Sequence, residues 1–208
     1  MSGKDGETRT RVLGVATRLF AARGFEKVTV REICREAEAN VAAVSYHFGD
    51  KMGLYHEVLG QAIREMQATT EAARLEGDGQ PSDEKLKAYV AVFLRRVVGQ
   101  GRDSWIHQLM AHEMADPTAA LDMVIDQVIR PRMAYLSALV ADVLSAPIDD
   151  PRVLRCVLSV QSQFHGLMMN PVARKVAPDF NPDSETIEAW ADHIYSFSLS
   201  GIRSLAKG

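Results

Sequence analysis

The sequence has few cysteines, no long apolar run and no alternating strand pattern, and each absence excludes a class of protein. Its two cysteines, Cys34 and Cys156, lie on different predicted helices without zinc-type spacing. This predicts two reduced core residues rather than a disulfide framework. No apolar stretch approaches the roughly 18 residues that a membrane span needs, and the polar start, MSGKDGETRTR, shows no secretion signal. The sequence therefore predicts a soluble, cytoplasmic protein.

A strong charge of either sign is also missing, because the formal net charge is −3 over 208 residues. The distribution is more informative than the total. The first 51 residues carry nine Lys and Arg against seven Asp and Glu, so a slightly basic front precedes an acidic remainder. This arrangement fits a protein that meets phosphate at one end, although the charge alone would not decide it.

Fingerprints of catalysis and cofactor binding are absent as well. The chain has no GxSxG, HExxH, P-loop or dinucleotide motif. His107 and His112 are five residues apart, which places them about 140° apart around a helix, on different faces. The sequence predicts no cofactor, no metal site and no enzyme.

Helical periodicity dominates what is present and predicts an all-α chain of about nine helices. Three later helices are predicted to start at an Asx-Pro pair, with proline at the first helical position: Asp116-Pro117, Asp150-Pro151 and Asn181-Pro182. Pro131 is predicted to kink the long helix that runs from Pro117 to about Ser145. The other predicted helices outside the region 29–48 are Thr8 to Arg23, Asp50 to Arg74, Ser104 to Met114, Pro151 to Met169 and Asp183 to Leu205, with one more that carries Leu86, Phe93 and Val97 and stops at Gly99.

The segment TVREICREAEANVAAVSYHFGDK, residues 29–51, is the most informative part of the chain. Thr29 and Glu32 have the spacing of a capping box at a helix start, and Asn40 is placed to cap a second helix. Two helices of about two turns, separated by about four residues, cannot bury themselves alone. The pairing predicts a helix-turn-helix whose second helix enters the major groove of DNA.

The same residues resemble a known family. The pattern Ala37-x-Ala39-Asn40-Val41-x-x-Val44-x-Tyr46-His47-Phe48-Gly49-Asp50-Lys51-x-x-Leu54 is similar to the DNA-binding signature of the tetracycline-repressor (TetR) family. The variant NVAAVxYHF resembles the subgroup with a CerR-type C-terminal domain. The resemblance covers roughly residues 8–56. One departure is Glu38, which stands in the turn where the family usually has glycine; a positive φ there would carry strain on the order of 1 kcal/mol.

Packing predicts which side chains of the motif face DNA. Ala37, Val44 and Phe48 share the face that should pack against Phe20 and Ile33. The resemblance implies that Tyr46, His47 and Lys51 grip the DNA backbone, and Lys4, Arg9 and Arg11 are expected to form a phosphate-binding arm. The predicted DNA-binding residues are Thr29, Arg31, Asn40, Val41, Ala42, Ala43, Ser45, Tyr46, His47 and Lys51.

The middle of the chain is expected to hold a small effector. One short predicted helix crowds aromatic, titratable and polarizable side chains together, and the scarcity of other polar groups indicates an apolar or aromatic ligand. The same spacing would also suit an ordinary core. The predicted effector residues are Tyr89, Phe93, Trp105, His107, Met110, Glu113, Met114, Met133 and Phe164.

The last two helices are the candidates for joining two copies of the chain. Both repeat apolar or small residues at helical spacing, which fits either a four-helix dimer interface or an intrachain core, and the resemblance implies the dimer. The predicted interface residues are Val157, Phe164, Met168, Trp190, Ile194, Phe197 and Gly201.

The predicted organisation is a helix-turn-helix DNA-binding domain over residues 1–50 and an effector-binding and dimerisation domain over residues 51–208. The predicted function is a ligand-responsive transcriptional regulator, a repressor that binds a palindromic operator as a homodimer and leaves it when the effector binds. Two alternatives are an all-α enzyme that uses the Trp105–Glu113 cluster, with His112 and Glu113 as acid and base, and an architectural DNA binder without an effector.

Overall fold

A computed structural model describes residues 2–98, 104–168, 175–176 and 186–206, and these residues contain helices and no strand. Two π-helical turns interrupt the α-helices: Leu94–Val98 directly follows α5, and Ile125–Ile129 joins α7 to α8. The α-helices are α1 Ser2–Arg23, α2 Val30–Glu36, α3 Val41–Phe48, α4 Lys51–Glu76, α5 Ser82–Phe93, α6 Trp105–Ala115, α7 Leu121–Val124, α8 Arg130–Leu144, α9 Pro151–Met168 and α10 Ile187–Ala206.

The chain divides into two compact units. The first combines Met1–Glu65 with Asp103–Gln127, and the second combines Met66–Arg102 with Val128–Gly208. The packing units therefore differ from the predicted boundary at residue 50, because α6 packs against α1 in the first unit. The division of function at residue 50 stays a prediction.

Local capping explains the short helices of the first unit. The Thr29 hydroxyl accepts a hydrogen bond from the Glu32 amide at 3.2 Å, and the Asn40 side chain accepts from the Ala42 amide at 2.9 Å. Asp50 does the same for the Gly53 amide at 2.8 Å, near the start of α4. Each bond satisfies an amide that the first helical turn leaves without a partner, so the predicted caps at Thr29 and Asn40 are confirmed.

Two predicted helix starts are wrong. The first helix begins at Ser2 rather than Thr8, so Lys4 lies within it along with Arg9 and Arg11. No helix begins at Pro117, because the Thr118 amide donates to the Glu113 carboxylate and its hydroxyl accepts from the Ala120 amide. The helix starts later, at Leu121.

Proline positions shape the helices of the second unit. Asp150 accepts from the Arg152 amide at 2.8 Å and α9 begins at Pro151, which confirms that predicted start. Next to Pro131 the chain takes a π-helical turn instead of a simple kink, because proline cannot donate the expected backbone bond. The predicted start at Asn181-Pro182 lies outside the described residues, as does Met169.

The second unit is built around one apolar core in which α5 packs against α8 and α10, and α9 packs against α8 and α10. Tyr89, Phe164 and Leu136 are among its fully buried side chains. None of the described helices is both long enough and apolar enough to cross a bilayer.

Candidate nucleic-acid interface

The α3 helix presents one face to the core and the other to solvent. Val44 and Phe48 of α3 are buried, and so is Ala37 at the end of α2, as predicted. On the opposite side Tyr46 is 76% exposed and Val41 is 45% exposed. Ala42 and Ser45 are exposed and Ala43 is half-buried. The residues predicted to meet base edges are thus accessible, and their contacts with DNA stay a prediction.

The turn before α3 has the geometry of a Schellman motif. The Ala39 amide donates to the Cys34 carbonyl at 2.9 Å, and the Glu38 amide donates to the Arg35 carbonyl at 3.4 Å. This pattern requires a left-handed backbone at the first residue after the helix cap, which is Glu38, and Glu38 has φ 49°. The position where the family usually has glycine therefore adopts a glycine-like conformation with a glutamate side chain.

The capping side chains keep donors available for phosphate. Thr29 and Asn40 are both exposed, and each uses an oxygen as the acceptor of its cap. The Thr29 hydroxyl proton and the Asn40 amide protons remain free to donate. Arg31 is exposed and has no ion pair within 4 Å among the described residues. These groups lie at the N-terminal ends of α2 and α3, where backbone amides also attract anions.

His47 and Lys51 are less available than Tyr46. The His47 side chain is only 11% exposed, and its Nε2 lies 4.0 Å from the Asp5 carboxylate. The Lys51 ammonium lies 4.1 Å from the centroid of the Phe25 ring, a cation–π contact. The contact of Lys51 with a phosphate stays a prediction.

Arg9 and Arg11 of α1 make contacts within the first unit, and their predicted role in binding phosphate stays a prediction. Arg9 pairs with Glu57 at 3.0 Å and lies over the Phe48 ring. Arg11 donates to the Ala37 carbonyl at 3.2 Å, at the C-terminal end of α2. The side chain of Lys4 lies outside the described residues.

Ion pairs also fix the start of α2. Arg23 pairs with Glu32, and its hydrogen bond, together with the backbone N–H of Thr29, lowers the pKa of the Glu32 carboxyl. Arg18 pairs in the same way with Glu36. The helix that leads into the turn is therefore tied to α1 at both ends.

The predicted effector residues lie in both packing units. In the second unit the Tyr89 and Phe93 rings stack with centroids 5.7 Å apart, and Phe164 lies 4.6 Å from Phe93. Met133 packs against this core. The remaining residues, Trp105, His107, Met110, Glu113 and Met114, belong to α6 in the first unit. Their joint assignment to one pocket stays a prediction.

Glu113 has a structural partner that the sequence did not indicate. Its buried carboxylate accepts from the Tyr55 hydroxyl at 2.5 Å and from the Thr118 hydroxyl at 2.8 Å. These three residues line a cleft of about 380 Å³ in the first unit, together with Gly24 and His112. A Cβ on Gly24 would lie 3.2 Å from the His112 ring, and its φ of +79° also favours glycine. No sequence signal pairs residues 55 and 113, which are far apart in the chain.

The predicted dimer residues divide between core and surface. Val157, Phe164 and Ile194 are buried in the second unit, so this face of α9 and α10 belongs to the chain's own core. Phe197 is 67% exposed, Gly201 is exposed, and Trp190 is partly buried. The side chain of Met168 lies outside the described residues.

Leu154 and Leu158 are 54% and 50% exposed on α9, on the side opposite to its buried residues. Leu154 and Leu158 are four residues apart and therefore lie on the same side of the helix. This spacing is the sequence signal that could have identified them as an exposed apolar face. Within the parts of the chain that the structure describes, no three His, Cys, Asp or Glu side chains gather as metal ligands would.

Comparisons with known proteins agree with this geometry. Residues 82–202 match the family model for the C-terminal domain of the HTH-type transcriptional dual regulator CecR, and residues 12–58 match the N-terminal model of bacterial regulatory proteins of the tetR family. CecR is thus the name of the domain type given above as CerR. The chain is 27% identical to the HTH-type transcriptional dual regulator CecR of Shigella flexneri over 164 residues, 74% of this chain and 72% of that one.

Solved structures show the same fold at low sequence identity. A TetR-family transcriptional regulator from Streptomyces coelicolor superposes with a TM-score of 0.68 at 24% identity, covering 95% of this chain and 97% of that one. The fatty acid degradation regulator FadR from Bacillus halodurans gives a TM-score of 0.64 at 14% identity, with 94% and 96% covered.

Proposed function

This chain belongs to the TetR family of bacterial transcriptional regulators, in the group with a CecR-type C-terminal domain, and on that premise we propose that it is a repressor that binds a palindromic operator as a homodimer and is released by a small effector. It is a DNA-binding regulator and not a member of an enzyme family. The observation that carries the proposal is the exposed face of α3, with Tyr46 and Val41 in solvent beside a buried Val44.

One such face contacts only a few base pairs, so useful affinity requires two copies on a two-fold site. The exposed Leu154, Leu158 and Phe197 on α9 and α10 provide an apolar surface for that pairing. A dimer built there is isologous, because the same surface of each copy takes part. It would act in the cytoplasm, where its DNA target lies.

Effector binding in the second unit would act through α4, whose residues belong to both units. The ligand favours a geometry in which the two α3 helices no longer match the operator spacing. A hundredfold loss of operator affinity requires the ligand to favour that geometry by about 2.7 kcal/mol.

The direct test is a mobility-shift titration on the DNA upstream of the protein's own coding region, with a random duplex of equal length at the same salt. We expect a footprint on an inverted repeat and at least hundredfold preference over the random duplex. Equal affinity for both duplexes would instead indicate an architectural DNA binder. A reporter fused to the same region distinguishes repression from activation.

A further inference from the structure

Five polar side chains meet inside the aromatic part of the second unit; they are called the Arg132 cluster below. Gln161 Nε2 donates to the Tyr89 hydroxyl at 3.1 Å, and Arg132 Nε donates to the Thr70 hydroxyl at 3.4 Å. The Tyr135 ring lies 6.2 Å from the Tyr89 ring. The cluster therefore consists of Thr70, Tyr89, Arg132, Tyr135 and Gln161.

Donors exceed acceptors in this cluster. The long bond to Thr70 is the one hydrogen bond of the Arg132 guanidinium to any described residue, and no described carboxylate lies within salt-bridge distance of it. The Tyr135 hydroxyl is buried and has no hydrogen-bond partner in the described part of the chain. Partly buried donors without acceptors are unfavourable, so the cluster lacks an acceptor-rich group.

Other arginines of the same unit are paired with acids. Arg95 pairs with Glu188 at 2.6 Å, and Arg203 pairs with Asp83 at 2.7 Å. Arg132 has no such carboxylate partner among the described residues, and it lies against the aromatic core.

The surroundings of Arg132 are apolar. Its guanidinium lies 5.1 Å from the centroid of the Phe93 ring, and Phe93 contacts Phe164. Burial lowers the pKa of Arg132 from its usual value, yet arginine stays protonated at neutral pH. Burial raises the pKa of Tyr89 to about 12, so this phenol also keeps its proton. The Arg132 guanidinium carries a positive charge and several N–H donors, and it lies beside aromatic rings. This combination suits a ligand in which a carboxylate is attached to an apolar body.

A cleft of about 560 Å³ opens in the second unit, and Tyr135 is the member of the Arg132 cluster that lines it. This volume is in the range of small-molecule sites. Arg74 lies over the Tyr135 ring at 5.6 Å and also lines the cleft. Glu71 and Asp142 line it too, so its wall carries both signs of charge, whereas the Arg132 cluster contains no carboxylate.

We propose that the Arg132 cluster binds the carboxylate of the effector, and that the effector is an aromatic or aliphatic monocarboxylic acid whose apolar body lies along the Phe93 and Phe164 side of the second unit. This inference rests on the proposed function, which supplies the need for an effector. It adds the chemical class of the ligand and the residue that selects it.

The test compares acids with amides of the same shape by isothermal titration calorimetry on the full chain. The probes are benzoate, 2-naphthoate and octanoate, each paired with its amide. We expect at least one acid to bind ten or more times tighter than its amide, because charge-assisted hydrogen bonds to a guanidinium require the charged oxygens. Failure of all three acids to bind better than their amides overturns the proposal without any variant.

The variant Arg132→Gln is then titrated with the preferred acid and its amide. We expect its affinity for the acid to fall at least tenfold and to come within threefold of its affinity for the amide. Arg130→Gln is the matched control, because it makes the same charge change at an exposed position of the same helix and should keep the preference. Loss of the preference in both variants, or in neither, contradicts the assignment to Arg132.

Operator binding separates this inference from the proposed function. Both variants should bind the operator like the wild type in the absence of probes, since Arg132 lies in the second unit. An acid that binds through Arg132 but leaves operator affinity unchanged would preserve the site and refute effector release. If the amide releases the wild-type protein from the operator as readily as the acid does, the carboxylate site is refuted and effector release is preserved.

Discussion

At the scale of single residues, Glu38 lies in the turn between α2 and α3, and its backbone adopts a conformation that costs free energy. Its φ of 49° is in the left-handed region, where a side chain carries strain of roughly 1–2 kcal/mol. Replacing Glu38 by glycine removes the strain at some cost in unfolded-state entropy. We expect Glu38→Gly to raise the free energy of unfolding by about 0.5–1 kcal/mol, measured by urea titration with circular dichroism.

The matched control is Glu65→Gly, at an exposed position inside α4. There the backbone is helical, so the same replacement should lower the free energy of unfolding by about 1 kcal/mol. A decrease for Glu38→Gly as large as that for Glu65→Gly would show that the left-handed turn carries no strain.

Side chains of α3 should separate sequence reading from backbone binding. Ala43 is half-buried on the reading face and Tyr46 is exposed at the end of the helix. Ala43→Leu should weaken operator binding by about 1–3 kcal/mol and leave binding to random DNA nearly unchanged, because its bulk disturbs a base edge. Tyr46→Ala should weaken both. Mobility-shift assays on the operator and on random DNA test both expectations. If Ala43→Leu weakens binding to the two duplexes equally, Ala43 does not contribute to base recognition.

At the scale of helices, a buried hydrogen bond ties α6 to α4 inside the first unit. Tyr55→Phe keeps the ring and deletes the donor to Glu113, which leaves Thr118 as the carboxylate's partner among the described residues. We expect a loss of about 1–3 kcal/mol in the free energy of unfolding, the cost of a buried acceptor without its donor. Tyr46→Phe, at an exposed hydroxyl, should change it by less than about 0.5 kcal/mol.

The pH dependence gives a second measure of the same bond. Burial and the neighbouring Glu113 raise the pKa of Tyr55 above its usual value of 10.0. A raised pKa in the folded state means that the contribution is present below about pH 10 and is lost as pH rises further, when the unfolded chain ionises first. The stability of the wild type should therefore fall more steeply above pH 10 than that of Tyr55→Phe. Parallel curves would contradict the buried bond.

Local signals in the sequence were sufficient for much of this architecture. The caps at Thr29, Asn40 and Asp150 gave correct helix starts, because each acts within three residues. The start expected at Pro117 failed because Glu113 binds Thr118 and is itself held by Tyr55, a tertiary contact that no local pattern reveals. Periodicity likewise located the stripes of α9 and α10 but could not tell which side the chain's own core would cover.

At the scale of the whole molecule, the regulator is proposed to work only as a pair. The exposed apolar side chains on α9 and α10 are not among the residues of the second unit's core, so they are not needed to close it. Phe197 is the largest of them at 67% exposure. In a two-fold interface each substitution occurs twice, so one added carboxylate places two charges in the contact.

Phe197→Glu should therefore yield a folded monomer, because burying unpaired carboxylates costs several kcal/mol while the exposed position makes little contribution to the monomer. Light scattering after size-exclusion chromatography measures the mass. The monomer's operator affinity should fall at least about a hundredfold toward the level for random DNA. Leu75→Glu, equally exposed at 67% but on α4, is the control and should remain a dimer. If Phe197→Glu also remains a dimer with full operator affinity, the two copies pair through another surface.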